Sequence, residues 1–439
     1  MAYLGAVSLS VDVPDPSAAL ATAFATEWGA VVATLIRVTG DWALAEDSAA
    51  EAFATAAQRW PVDGVPRRPG AWLSTTARNA AYDRLRRRAA EQRALHRVAG
   101  DPTTGRWAED LEPEPEGRDG GARVPASDGA GTGDDRLRLV FTCCHPALPL
   151  EGRVALTLRT LGGLEVAEVA AAFGVTESTM AKRLVRARQK IAHARIPYRV
   201  PAPDELPERL GGVLGVLYLV FTEGYAPTSG AAIRTDLSAE AIRLAGQLAV
   251  LLPDESEVHA LLALMLLHDS RRAARVAPDG ALVPLEDQDR TQWNASQIER
   301  GLAALDAGLR AAVGGAAGPY LLQASIAACH ATARTPDATP WPRVVELYGA
   351  LVAIAPSPHA HLARAIALGM ADGLAAGHEA LAGLDGAPRG LRLAAEADLL
   401  RRYGRVAEAA VAYREAAEHS DGARRHFLEA RLAELGTAG

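Results

Sequence analysis

The chain has 439 residues and a formal net charge of −7. That length points to two to four domains. A composition of 49% apolar and 23% charged residues excludes wholesale disorder, and the low aromatic content with abundant Ala favours helices over strands. Three cysteines, Cys143, Cys144 and Cys329, make no disulfide framework and fit a reducing compartment. The N-terminus lacks the basic and apolar regions of a signal peptide. The longest apolar run, residues 210–221, is too short to span a bilayer and reads as a buried helix. A cytoplasmic protein without a membrane partner is expected.

Charge is segregated along the chain. Residues 67–97 carry +7, residues 101–135 carry −7, residues 178–203 carry +7 without an acid, and residues 204–439 sum to −8. Two cationic blocks of this density suggest two places where a polyanion is held. Any one of them alone would pass for a solvated helix face. Of the basic residues only Lys182 and Lys190 are lysines.

Residues 1–19 read as an irregular leader. From Leu20 the periodicity is helical, and Ala49, Phe53, Ala56 and Trp60 fall on one face of a helix that Asp41 caps and Pro61 stops. A second helix follows from about Pro69 to Arg97, arginine-rich in its second half. Residues 101–135, rich in Gly, Pro and Asp, read as a flexible acidic linker. Helical periodicity resumes at Leu137. No segment shows strand alternation, so the expected fold class is all-α.

Residues 165–190, EVAEVAAAFGVTESTMAKRLVRARQK, have the pattern of a helix-turn-helix. Ala170 is small where two helices meet, Gly174 supplies the turn, and Val175 fills the space between them. Thr176 caps the second helix, and Met180 and Leu184 face inward. Glu177, Ser178, Thr179, Lys182, Arg183 and Arg186 are left exposed, as on a helix that enters a major groove. An ordinary αα-hairpin is the alternative.

The order DWALAEDSAAEAFATAAQRW, PGAWLSTTARNAAYDRLRRRA, linker and helix-turn-helix resembles a bacterial extracytoplasmic-function (ECF) RNA polymerase sigma factor. LYLVFTEGYAPTSG, LEDQDRTQWN and GPYLLQASIAACHA are similar to the C-terminal extension of an ECF subgroup that ends in tetratricopeptide-like repeats. The resemblance implies six segments. A leader (1–19) precedes a region 2-like domain (20–98), the acidic linker (99–135) and a region 4-like domain (136–200). A helical extension (201–340) and tetratricopeptide-like repeats (341–439) follow.

It implies core RNA polymerase and promoter DNA as partners. Glu46, Asp47, Glu51 and Phe53 would dock on polymerase. Arg78, Asn79, Asp83, Arg84, Arg86, Arg87 and Arg88 would meet the −10 element, with Asp83 orienting a guanidinium or simply pairing with Arg87. Trp72 reads as core rather than as a stacking platform. The exposed residues of the second helix, Glu177 to Arg186 as named above, would read the −35 element. The acidic linker reads as a tether.

In the C-terminal part Ala397, Leu400, Gly404, Ala409, Tyr413 and Ala416 have tetratricopeptide spacing. Tyr413 aligns with Leu381 and Tyr348, and Ala416 with Leu384 and Leu351, a period near ~34 residues. Stacked hairpins of this kind offer a concave surface to a protein or peptide. A last helix would cap the stack.

Other groups carry less. Cys143, Cys144 and His145 lack the second ligand pair that a zinc site needs and read as packing, with His145 bonding a carbonyl. Glu286, Asp287 and Asp289 near Arg290 and Trp293 read as a structural polar network rather than acid/base chemistry. His259 and His268 read as the ends of an apolar helix. Gly162, Gly163, Gly211 and Gly212 read as turn or packing glycines. No catalytic residue, metal or cofactor is expected. The leading function is promoter recognition with a fused regulatory domain. The alternatives are a stand-alone helix-turn-helix regulator with a repeat sensor, and an enzyme with its active site in residues 205–340.

Overall fold

The structure, a computed structural model, describes residues 15–99, 130–225, 235–277, 283–312, 314–384, 387–420 and 422–437. Most of the leader and of the acidic linker lies outside them. Among the described residues the fold is all-α, without a β-strand. The chain divides into two compact units, Met1–Val216 and Leu217–Gly439.

In the first unit, α1 (Pro16–Thr39) begins inside the segment expected to be a leader. Asp15 accepts a bond from the Ser17 N–H, Pro16 presets the first turn, and Gly40 (φ 66°) ends the helix. α1 is long and apolar enough to cross a membrane, yet Trp28, Val31, Val32, Leu35 and Ile36 on one face are buried in this unit. It serves here as a core helix, packed on α2 (Trp42–Asp63) and α3 (Pro69–Ala99).

Asp41 caps α2 as expected, accepting from the Leu44 N–H at 3.0 Å. Pro61 does not stop it. The bond that Pro61 cannot donate is one of the last in the helix, so little is lost, and Gly64 (φ 84°) makes the turn instead. Trp60 and Trp72 meet edge to face at 5.8 Å, which places Trp72 in the packing between α2 and α3.

α4 (Ala130–Cys143) starts earlier than Leu137. Cys143 and Cys144 at its end are fully buried, and burial pushes both thiols up, Cys144 to about 11. Among the described residues His145 bonds no carbonyl; its Nδ1 accepts from the Ala147 N–H at 3.1 Å. α5 (Leu150–Leu156) runs into a π-helical turn, Thr157–Leu161, and Gly163 (φ 75°) follows. A side chain at Gly163 would collide with Phe24. α6 (Val166–Ala172), α7 (Glu177–His193) and the start of α8 (Leu206–Tyr225) complete the unit.

The second unit is a succession of helices that pack mainly on their neighbours: α9 (Thr235–Leu251), α10 (Ser256–Asp269), α11 (Ala295–Ala311), α12 (Pro319–Thr332), α13 (Trp341–Ile354), α14 (Pro358–Asp372), α15 (Leu374–Ala382), α16 (Arg389–Arg402), α17 (Val406–Glu418) and α18 (Gly422–Thr437). Separate apolar clusters follow one another along it. Gly373 (φ 101°) and Gly404 (φ 72°) turn α14 into α15 and α16 into α17. Tyr348, Leu381 and Tyr413, aligned by the sequence period, lie on α13, α15 and α17. Gly369 and Gly377 let α14 and α15 touch backbone to backbone.

Glu286 and Asp287 form a polar network, but with distant arginines rather than with Arg290, which donates to the His330 and Ala333 carbonyls. Glu286 pairs with Arg401 and Arg402 of α16, and Asp287 with the buried Arg431 of α18. Asp289 caps a short 3-10 turn at the Thr291 N–H.

Candidate nucleic-acid and polymerase interface

The helix-turn-helix forms as its residues dictate. Glu165 and Glu168 make a capping box at the start of α6, Gly174 turns in the left-handed region (φ 61°), and the Thr176 hydroxyl accepts from the Thr179 N–H at 3.3 Å to start α7. Met180, Leu184, Ala187 and Ile191 form the buried face of α7. Glu177, Ser178, Thr179, Lys182 and Arg186 are exposed on the other side. Arg183 is different. Its guanidinium lies 3.3 Å from Glu151 and over the Phe173 ring at 5.3 Å, so it is held before any partner arrives.

On α3, Arg84 sits between Asp47 (3.3 Å) and Glu51 (2.8 Å), and Arg88 pairs with Asp41 (3.0 Å). Asp83 takes Arg86 at 3.0 Å, not Arg87. Among the described residues Arg78 and Arg87 have no carboxylate partner, and Arg87 and Asn79 are exposed. α3 therefore offers two uncommitted guanidinium groups amid others that are intramolecularly paired.

The acidic helix α2 divides unexpectedly. Asp47 and Glu51 are exposed, but Glu46 and Phe53 are buried at 3% and 6% exposure. Phe53 completes an aromatic cluster with Phe24 and Trp28. Neither residue is a surface contact in this arrangement, because both lie on the inward stripe of the helix with Ala49, Ala56 and Trp60.

Glu46 is the hub of a polar clamp. Its carboxylate accepts from Arg188 of α7 at 2.8 and 2.9 Å, from the Thr160 hydroxyl at 2.9 Å and from Arg159 Nε at 3.3 Å. Nearby, Trp28 Nε1 donates to the Thr160 carbonyl at 3.1 Å, and the Tyr198 hydroxyl to the Ala33 carbonyl at 2.9 Å. Residues of α1 and α2 thus tie down α7 and the segments on either side of the helix-turn-helix. Sequence inspection missed Arg159 and Arg188. The only available sign was that Arg188 lies one turn after Leu184, on the inward side of a basic helix.

Comparison with known proteins supplies the family. Residues 26–91 match sigma-70 region 2, and residues 138–191 match sigma-70 region 4. The chain thus carries both sigma-70 regions. The two matched regions indicate an ECF-type sigma factor, a subunit for transcription initiation that works with core RNA polymerase and promoter DNA. Sigma regions of this kind are DNA-binding regulators rather than enzymes.

The C-terminal extension of this sigma factor matches, over residues 209–309, a family of unknown function (DUF6596). An uncharacterized protein of Rhizobium meliloti (strain 1021) is 39% identical over 387 residues, covering 86% of each chain. No solved structure matches.

Proposed function

We propose that this sigma factor acts in the cytoplasm, docks on core polymerase through the exposed acids of α2, and reads a bipartite promoter with α3 and α7. The observation that carries it is the exposed face of α7, where Glu177, Ser178, Thr179, Lys182 and Arg186 stand clear of the domain core around a well-capped helix N-terminus. Asp47 and Glu51 are the polymerase-facing candidates, and Glu46 and Phe53 are reassigned to the interior. Arg78 and Arg87 supply phosphate contacts at the −10 element, Arg84, Arg86 and Arg88 join them by exchanging their intramolecular acids for phosphates, and Asn79 and Asp83 lie beside them.

The second unit serves as a fused module for protein or peptide partners. Its hairpins, its turn glycines and the recurrence of Tyr348, Leu381 and Tyr413 support a tetratricopeptide-like stack. The test is transcription in vitro. Core polymerase mixed with the full chain initiates at promoters selected by sequencing transcripts after overexpression, and neither component alone does so. A chain that binds those promoters but forms no complex with core polymerase would be a stand-alone helix-turn-helix regulator instead.

A further inference from the structure

The second unit contains a cleft of about 650 Å³ between the end of α10, α12, α13 and the start of α14, with Leu285 and Trp293 of the α10–α11 connection as a further wall. Much of its lining lies beyond the matched residues 209–309. Its size is that of a site for a small organic molecule.

The polar groups in it are arranged for an anion. Arg271 donates to Nδ1 of His268 at 2.8 Å, and among the described residues no carboxylate pairs with it. Because an arginine can only donate, His268 accepts at Nδ1 and carries its proton on Nε2. Burial lowers the pKa of His268 well below the usual imidazole range, and the neighbouring arginines lower it further. His330 is brought to about 4 by burial, Arg271 and Arg290. Both rings are neutral near pH 7, and among the described residues Arg271 is the one arginine that lines the cleft.

Two residues that line the cleft, Trp293 and His330, each have a buried nitrogen, Nε1 and Nδ1, without a hydrogen-bond partner among the described residues. A buried donor or acceptor left unpaired costs about 1–3 kcal/mol, which a polar atom of a ligand placed beside it would relieve. The remaining wall is apolar, with Leu264, Leu267, Ile326 and Leu351.

We infer that this cleft is a binding site for a small organic monoanion, a carboxylate on an apolar body, whose charged end pairs with Arg271 and whose body lies against α12 and α13. A guanidinium without a carboxylate partner suits a carboxylate through two parallel bonds. An amide of the same shape lacks the charge and presents only one acceptor oxygen.

The experiment is calorimetric titration of the full chain with 4-phenylbutyrate and with its neutral amide. The acid should bind about tenfold or more tightly than the amide, a gap of about 1.4 kcal/mol or more. Arg271→Gln should abolish that preference, the acid losing about tenfold or more and the amide less, and Arg271→Lys should restore part of it. Should Arg271→Gln fail to fold, Ala331→Trp, which places a bulky side chain in the lining, should remove binding of acid and amide alike without altering the circular dichroism. Equal binding of acid and amide, undiminished preference in Arg271→Gln, or no binding of either compound would overturn the assignment. So would a ten-residue peptide with a free C-terminus that displaces the acid, since the site would then be one for chain ends.

Discussion

Replacing Glu46 by Ala tests whether the clamp holds the two sigma regions together. The Glu46 side chain is 4% exposed, against 14% for Arg159 and 22% for Arg188. Removing the carboxylate strands the Arg188 guanidinium and the Thr160 hydroxyl and takes one partner from Arg159, which keeps the Leu164 carbonyl and Glu165. Breaking a buried pair in this way typically costs about 3–5 kcal/mol. The lower end applies because both arginines keep some water, so about 3 kcal/mol is expected. That energy corresponds to a roughly hundredfold shift in an equilibrium between clamped and released forms. In a unit of this size it lowers the melting temperature by about 6–12 °C.

Near-ultraviolet circular dichroism, which follows Trp28 and its aromatic neighbours, reads the transition. Asp47→Ala, one residue away and exposed, is the control and should stay within about 0.5 kcal/mol. Glu46→Gln should fall between, since it can still accept from Thr160. A double-mutant cycle with Arg188→Leu should show coupling above about 1 kcal/mol. If Glu46→Ala melts with Asp47→Ala and the cycle shows no coupling, the clamp contributes nothing and the reasoning fails.

Other consequences can be checked as directly. Arg186→Ala and Arg87→Ala should each weaken promoter binding and lower the slope of log affinity against log salt by about one, whereas Arg183→Ala should also loosen the helix-turn-helix, because Arg183 already ties Glu151 and Phe173. Acid should destabilise the second unit through His330. The unfolded imidazole takes up its proton below about 6.5, while the folded one resists until about 4, so the unfolded chain binds more protons in that window and stability falls as the pH drops through it, by about 3 kcal/mol in all. Urea titrations at pH 7 and pH 4.5 should show a smaller loss for His330→Asn than for the unmodified chain. Gly377→Ala should cost about 1–3 kcal/mol, because the new methyl group would lie 2.7 Å from Leu399 and 2.8 Å from the Gly369 backbone; an unchanged urea midpoint would mean that α14 and α15 do not touch there.

Local signals carried much of the architecture into the sequence. The cap at Asp41, the turn at Gly174, the cap at Thr176 and the inward face at Met180 and Leu184 are each fixed by residues within one or two turns, and each stands where the pattern puts it. Pro61 misled because position along the helix, not residue type, decides what a proline costs. The site residues were harder. Whether an arginine on α3 is available depends on acids of α2, so Arg84 and Arg87, three residues apart on the same helix, differ through contacts with Asp47 and Glu51. Phe53 was read both as part of the inward stripe and as a polymerase contact, and burial settles that conflict for the stripe in this arrangement. The Glu46 clamp spans more than a hundred residues, and no local pattern announces such a pairing. The cleft at Arg271 draws on four helices and a connection, and is equally invisible in the linear chain.

The polar network at Glu286 and Asp287 changes the mechanical character of the second unit. A linear stack of hairpins is bound only by neighbour contacts, so its ends fray and damage at one end stays local. Here a connection before α11 is tied to Arg401 of α16 and Arg431 of α18, more than a hundred residues later in the chain. That tie closes the row of helices into a circuit. The last helix cannot peel away without releasing the connection that carries Leu285 and Trp293, which form one wall of the Arg271 cleft. The far end of the chain and the cleft therefore rise and fall in stability together, and unfolding of this unit should be more cooperative than its repetitive appearance suggests.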